Sequence, residues 1–115
     1  MAFLPRVGEP YLSVNWIEFL GLGTDVAELR ELRALYRRKF QVGAGARIAI
    51  LSVQHLRNWV RESSPDRRNL AVLHQPLEEP EQDTSHAGVV NVRHDDELIA
   101  ELIRQAVADS HPARE

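Results

Sequence analysis

The chain has 115 residues, of which 43% are hydrophobic and 27% are charged, with no cysteine and a net charge of −3. These values are typical of one folded domain, and they exclude wholesale disorder, a disulfide framework and a thiolate zinc site. No apolar run approaches the roughly 20 residues that span a bilayer, and residues 1–10 lack the pattern of a signal peptide, so the sequence predicts a cytoplasmic protein.

The chain begins with an irregular segment that leads into a short strand and a short helix. Prolines and a glycine make residues 1–10 an irregular lead-in, and residues 11–14 favour a strand. Asn15 can cap a short helix, because Glu18 stands three positions further on. An alternative keeps Tyr11–Ile17 as one strand.

A long helix is predicted from Thr24 or Asp25 to Phe40. Its apolar residues recur at three- and four-residue steps, as in a helix that lies on a core. They are Val26, Leu29, Leu32, Tyr36 and Phe40. Its basic residues, which we call the basic ridge, are Arg30, Arg33, Arg37, Arg38 and Lys39. This ridge could meet phosphates or an acidic protein surface, although a solvated helix face is the commoner explanation of such a pattern.

Residues 47–53, RIAILSV, are predicted to form the central buried strand, because five of the seven are apolar. Ile50, in the middle of this run, is expected to be nearly inaccessible to solvent. A helix at 55–62 and a strand at 70–73 then complete a βαβ unit with two parallel strands. The glycines of residues 42–46 precede a strand rather than follow one, so they do not fit a nucleotide-binding loop.

The C-terminal half is predicted to contain one long loop, one strand and one helix. Residues 75–86 combine prolines with acidic residues and are expected to be an exposed acidic loop. A strand follows at 89–92, acidic residues 95–97 open the last helix, and residues 110–115 are a fraying tail. The predicted class is α/β, or α+β, in one domain covering 1–115, with three or four mixed or mostly parallel strands and about three helices.

One group of residues could carry acid–base chemistry. Sites in open α/β sheets lie beyond the carboxyl ends of the strands, where His74 is expected. His74 and His86 could act as general acid and base, with Asp83 orienting one of them and Ser85 as a nucleophile. Alternatively, His86 braces the loop through hydrogen bonds and His74 is a partly exposed residue at a strand end.

No metal or cofactor site is predicted. The one set considered is His86, His94, Asp95 and Asp96. Its spacing matches no common ligand pattern, and acidic residues at a helix start already have a structural role. Trp16 and Trp59 are expected to be core or interface anchors.

The sequence therefore predicts a small accessory or regulatory protein that binds another protein, or a second copy of itself, without catalysis of its own. Residues 1–60 carry eight basic and five acidic side chains, and residues 61–115 carry six and twelve, so the net charges are +3 and −6. This asymmetry suits association. The predicted contact residues are Arg30, Arg33, Arg37, Arg38, Glu78, Glu79 and Glu81. The alternatives are a small hydrolase or nuclease that uses the two histidines and, third, a nucleic-acid binder; no membrane partner is expected.

Overall fold

The structure is a computed structural model that describes residues 3–20, 22–40, 42–43, 45–78 and 82–113. Within these ranges the elements are β1 (Leu12–Asn15), a 3₁₀ turn (Ile17–Leu20), α1 (Asp25–Lys39), β2 (Arg47–Ile50), α2 (Val53–Ser63), β3 (Ala71–His74), β4 (His86–Val90), α3 (Glu97–Gln105) and β5 (Asp109–Pro112). The strands form two antiparallel sheets, ordered β1-β4-β3 and β2-β5. The mixed α/β class is confirmed, but the expectation of mostly parallel strands is wrong. The described residues form two sheets, of three and two strands, rather than one sheet of three or four.

The central strand of the larger sheet is β4, which pairs with both β1 and β3. The prediction placed this strand at 89–92, whereas it runs from His86 to Val90 and includes the small residues Ala87 and Gly88. Gly88 has a specific reason to be glycine, because the ring of Tyr11 lies across it. The close approach of that ring fixes how the N-terminal segment covers the sheet.

We expect Gly88→Ala to lower the free energy of unfolding by about 1–3 kcal/mol, the range for overpacking a filled site. An added Cβ would lie 2.9 Å from the Tyr11 ring and 2.9 Å from Oε1 of Gln75. Gly23→Ala is the matched control, because no atom lies within 4 Å of a Cβ at Gly23. Urea titration measures both variants, and equal midpoints would contradict the packing of Tyr11 on β4.

The predicted central strand, 47–53, is instead a short strand of the smaller sheet. Only Arg47–Ile50 is extended, and its partner is β5. Ile48 is buried whereas Ile50 is half-buried, so the prediction that Ile50 is inaccessible is wrong. Arg47 and Ala49 are exposed, so β2 has one covered face and one open face, as antiparallel strands often do. Ile50 lies on the covered face with Ile48, but at the end of the strand. The parallel βαβ unit is also wrong, because β2 and β3 belong to different sheets.

The C-terminal residues that were predicted to fray form β5. The N–H of Ala113 donates to the carbonyl of Ala46 at 2.9 Å, and Ala113 is buried. Pro112 lies opposite Arg47, and this pair is next in the ladder to the hydrogen-bonded pair of Ala46 and Ala113. Bonded pairs alternate along an antiparallel ladder, so no N–H is required of Pro112 on the β2 side. The tail is therefore ordered by its partner strand rather than by its own propensity.

Two separate apolar clusters stabilise the fold. In the main core, α2 and α3 pack against the larger sheet. Its buried members are Leu56, Val60, Leu70, Val89, Val92, Ile99, Leu102, Ile103 and Ala106. The smaller cluster joins α1, β2 and the end of β5 through Leu32, Ile48 and Ala113. No helix in the described ranges is long and apolar enough to cross a membrane.

Helix α1 begins where it was predicted, because the Thr24 hydroxyl accepts the N–H of Ala27 at 3.1 Å. Its buried side differs from the predicted stripe. Val26 and Phe40 are 69% and 50% exposed, whereas Leu35, which was not part of that stripe, is buried. This helix therefore leaves apolar side chains uncovered at both ends.

The region 75–86 is only partly an exposed acidic loop. Leu77 and Asp83 pair across it, and its last residues are buried, including Asp83 and Ser85. Residues 79–81 lie outside the described ranges, so the predicted contacts of Glu79 and Glu81 do too. The loop closes back onto the sheet because its polar C-terminal end bonds to other elements.

Candidate functional site

A cleft of about 1270 Å³ separates the two apolar clusters. Leu12, Val14 and Val89 line it from the larger sheet, and Leu32 and Ile48 line it from α1 and β2. Small-molecule pockets usually measure about 300–1,000 Å³. The cleft is larger than that range, and it is lined mainly by aliphatic side chains.

One side of the cleft is the free edge of β1. The N–H of Trp16 donates to the carbonyl of Ser85 at 2.7 Å. Because such bonds recur at every second residue of an antiparallel pair, Leu12 and Val14 also bond to β4, and the backbone groups of Ser13 point away. In the described part of the chain, no backbone group bonds to Ser13 on that outer side.

A second free edge, that of β2, also lines the cleft. The hydrogen bond between Ala113 and Ala46 fixes which residues of β2 bond to β5. Because bonding residues alternate along the strand, the backbone N–H and carbonyl of Ile48 point to β5, whereas those of Arg47 and Ala49 point outward. Within the described ranges these outward groups have no backbone partner. Both free edges line the same cleft.

The charged residues of the cleft are mainly acidic. Glu18 and Glu28 line it, and among the described residues neither carboxylate has an ion-pair or hydrogen-bond partner. The Arg47 guanidinium is already engaged, because it donates to the hydroxyl and to the carbonyl of Ser110. The cleft therefore offers an occupant two carboxylates without an ion-pair partner among the described residues, beside one arginine whose hydrogen bonds to the neutral Ser110 leave its positive charge in place.

A buried polar cluster lies beside the cleft, and we call it the Asp83 network. Its members are Asn15, Tyr36, Lys39, Asp83 and Ser85. Asp83 accepts hydrogen bonds from Lys39 Nζ at 3.0 Å and from the Ser85 hydroxyl at 2.9 Å. The amide of Asn15 donates to both carboxylate oxygens and to Ser85 Oγ, and its carbonyl accepts from the Tyr36 hydroxyl at 2.7 Å. The network joins the end of α1 to β1 and to the turn before β4.

The charges in this network are fixed by their surroundings. Burial and then the charge of Asp83 raise the pKa of Tyr36 to about 12, so its phenol stays a neutral donor. Burial alone would raise the pKa of Asp83, but hydrogen bonds from Lys39, Asn15 and Ser85 outweigh it and lower that pKa below its usual value. Asp83 is therefore ionised at neutral pH despite its burial.

We expect this carboxylate to make stability fall in acid. A carboxyl whose pKa is lower in the folded than in the unfolded state stabilises the fold at pH values above its unfolded pKa, about 3.9. This stabilisation is lost as the pH falls through the folded-state pKa. Urea unfolding between about pH 6 and pH 2 should show this loss, and Asp83→Asn should reduce its slope. An unchanged slope in Asp83→Asn would contradict the lowered pKa of Asp83.

The structure divides the four predicted catalytic residues into two groups. Asp83 and Ser85 meet in the network, where their exposed fractions are 1% and 0%. His74 pairs opposite Ala87, so alternation along β4 places its side chain on the other face of the sheet from His86. The histidines are neighbours in the ladder, but their rings are not brought together.

Each histidine has its own structural contacts. His74 Nε2 donates to the Thr84 carbonyl at 2.7 Å, and its ring stacks on Phe19 with centroids 3.6 Å apart. His86 Nδ1 donates to the Gln75 carbonyl at 2.8 Å, and its ring is buried. These contacts match the bracing alternative, and the catalytic use of either residue stays a prediction.

The basic ridge is only partly free. Lys39 is committed to Asp83, and Arg33 Nε donates to the carbonyl of Pro112 at 3.0 Å. Arg30, Arg37 and Arg38 are exposed on α1. Of the predicted acidic contacts, Glu78 is described and is exposed as well.

The remaining candidates give no second site. Among the described residues, no group of three or more His, Asp or Glu side chains could hold a metal ion. Trp16 lies in the cleft wall and Trp59 packs against the main core, so both contact apolar surfaces as expected. Sequence reasoning missed the free edge of β1, because the alternation of polar and apolar residues around Ser13 indicates a half-buried strand but not which of its edges is paired.

Comparison with known proteins adds no family to this geometry. No family model, curated protein or solved structure matches the chain. The function is therefore inferred from the cleft, the strand edges and the charges described above.

Proposed function

We propose that this chain is a protein-binding accessory domain without catalysis of its own, and that the cleft is its binding site. One observation carries the proposal: a large, mainly aliphatic cleft is lined by two strand edges that have no backbone partner among the described residues. Apolar surface is costly to leave in water, and a strand edge without a backbone partner is a template for pairing. A polypeptide partner satisfies both.

The burial of the polar groups favours binding over catalysis. A nucleophile or general base must come within hydrogen-bond reach of its substrate, whereas Ser85 and Asp83 are closed off from solvent by their own partners. The network instead fixes Asn15 and Tyr36, two residues of the cleft wall. It therefore supports the shape of the binding site.

The exposed surface around the cleft offers further contacts. Leu22 and Phe40 line the cleft and are 39% and 50% exposed, so they extend its apolar surface outward. Aromatic residues commonly anchor protein interfaces. The exposed arginines of the basic ridge lie on α1, which ends next to Phe40. They suit an acidic patch on the same partner.

The test is a selection of short random peptides displayed on phage against the immobilised chain. Ala49→Trp places an indole at the edge of the cleft, and Ala108→Trp, an exposed alanine outside the cleft lining, is the matched control. We expect enriched peptides to bind the wild type and Ala108→Trp equally, and Ala49→Trp at least about tenfold more weakly. The proposal would be overturned if no peptide were enriched, or if the enriched peptides bound Ala49→Trp as tightly as the wild type.

A further inference from the structure

Building on the proposed function, we infer that the cleft takes an extended polypeptide segment by strand addition, between β1 and β2. The inserted strand would join the two sheets into one, in the order β5-β2-peptide-β1-β4-β3. The sequence of the segment is also defined. Every second residue is apolar, and a lysine or arginine at one end contacts Glu18 and Glu28.

The backbone of both walls carries this inference. An exposed strand edge is a template for pairing, and its main-chain hydrogen bonds supply affinity in known cases of strand addition. Ser13 on β1 and Ala49 on β2 each turn an N–H and a carbonyl outward, away from β4 and β5. Because a strand has two edges, one inserted segment can pair with both walls at once.

The side chains of the cleft set the sequence of the segment. Successive residues of a strand point to opposite faces, so one face of the insert meets the apolar lining, including Leu12, Val14 and Ile48. The carboxylates of Glu18 and Glu28 complement a cationic residue. A uniformly apolar small molecule would leave both the carboxylates and the strand edges without partners.

The probe is a labelled peptide, acetyl-KTVTVTVK-amide, with acetyl-ETVTVTVE-amide as its charge-reversed control. By fluorescence anisotropy we expect the lysine peptide to bind at least about tenfold more tightly than the glutamate peptide. Glu18→Gln combined with Glu28→Gln should remove most of that difference. Equal binding of both peptides by the wild type would overturn the charge assignment.

Backbone methylation of the probe tests insertion without altering the protein. In a strand inserted between two others, amides of one parity bond to β1 and those of the other parity bond to β2. We therefore expect a single N-methyl group to weaken binding at positions of either parity. Sensitivity at one parity only would mean addition to a single edge, and insensitivity at both would mean no strand addition.

Amide hydrogen exchange, read by NMR, locates the bound peptide. With the lysine peptide bound, the amides of Ser13 and Ala49 should both exchange at least about tenfold more slowly. Peptide binding that leaves both amides unchanged would overturn strand addition while the protein-binding proposal stands. Failure of the lysine peptide where phage-selected peptides bind in the cleft would have the same meaning.

Two other occupants give distinct outcomes. A second copy would protect Ser13 and Ala49 in the chain alone, with the protection rising as protein concentration rises, and sedimentation would show the dimer. A small apolar ligand, probed with a labelled fatty acid, would displace the peptide without protecting either amide. Either result would overturn the assignment of an extended peptide as the occupant.

Discussion

Replacing Leu56 by alanine is expected to lower the free energy of unfolding by about 2–5 kcal/mol, the range for truncating a buried leucine. Leu56 is 1% exposed in α2, and it packs in the main core with Val60 and Ile103. Removing its branched end costs the transfer free energy of the lost methyl groups and also leaves a cavity, because neighbouring side chains relax only in part.

The matched control is Leu98→Ala on α3, where the side chain is 51% exposed. We expect this variant to cost about 1 kcal/mol or less, near the level of surface substitutions. Both values come from urea titration at one pH. Equal losses in the two variants would mean that the packing of α2 on the larger sheet is misassigned.

Replacing Asp83 by alanine is expected to lower the free energy of unfolding by about 3 kcal/mol, the lower end of the range for removing one partner of a buried ion pair. Lys39 keeps a side-chain exposure of 14%, so water relieves part of the cost. The amide of Asn15 and the hydroxyl of Ser85 also lose their acceptor. Unsatisfied buried donors account for much of the expected loss.

Asp95→Ala is the matched control for Asp83→Ala, because the Asp95 side chain is 68% exposed and lies 3.9 Å from Arg93. Exposed pairs of this kind contribute about 0–1 kcal/mol. Thermal or urea unfolding of the two variants gives the comparison. A loss below about 1 kcal/mol for Asp83→Ala would contradict the view that the network holds α1 on the sheet.

The helices could be predicted from the sequence because their signals are local. Capping by Thr24 lies within one turn of the residues that it bonds, and the apolar stripe of α3 is visible as a period in nine residues. The depth of burial on α1 was less predictable. Val26 fits the stripe of that helix and is still exposed, because only contacts with other elements determine which part of a stripe is covered.

The strand pairing could not be predicted because it depends on distant partners. The run RIAILSV is equally apolar whether it is covered on one face or on two, and its partner, β5, lies 63 positions away at the Ile48–His111 pair. Residues Asp109–Pro112 have little β propensity of their own. Their extended form comes from bonding to β2, which no local pattern in these residues indicates.

The candidate site was hidden for the same reason. Asn15 suggested a helix cap, because Glu18 follows at the right spacing, but its side chain bonds to Ser85, 70 positions away. Asp83 and Ser85 were singled out from the sequence, whereas Tyr36 and Lys39 were assigned to a helix stripe and a basic ridge. Their meeting depends on how α1 lies against β1, which sequence spacing does not encode.

Hydrogen exchange of the free chain, read at single amides, tests most directly whether β1 and β2 present open edges to the cleft. The amides of Val14 and Ile48 bond within their sheets and should be protected, whereas those of Ser13 and Ala49 should exchange at rates near those of an unfolded chain. Protection of Ser13 and Ala49 equal to that of Val14 and Ile48, in dilute protein without peptide, would mean that the two edges are already paired. That result would contradict the open cleft.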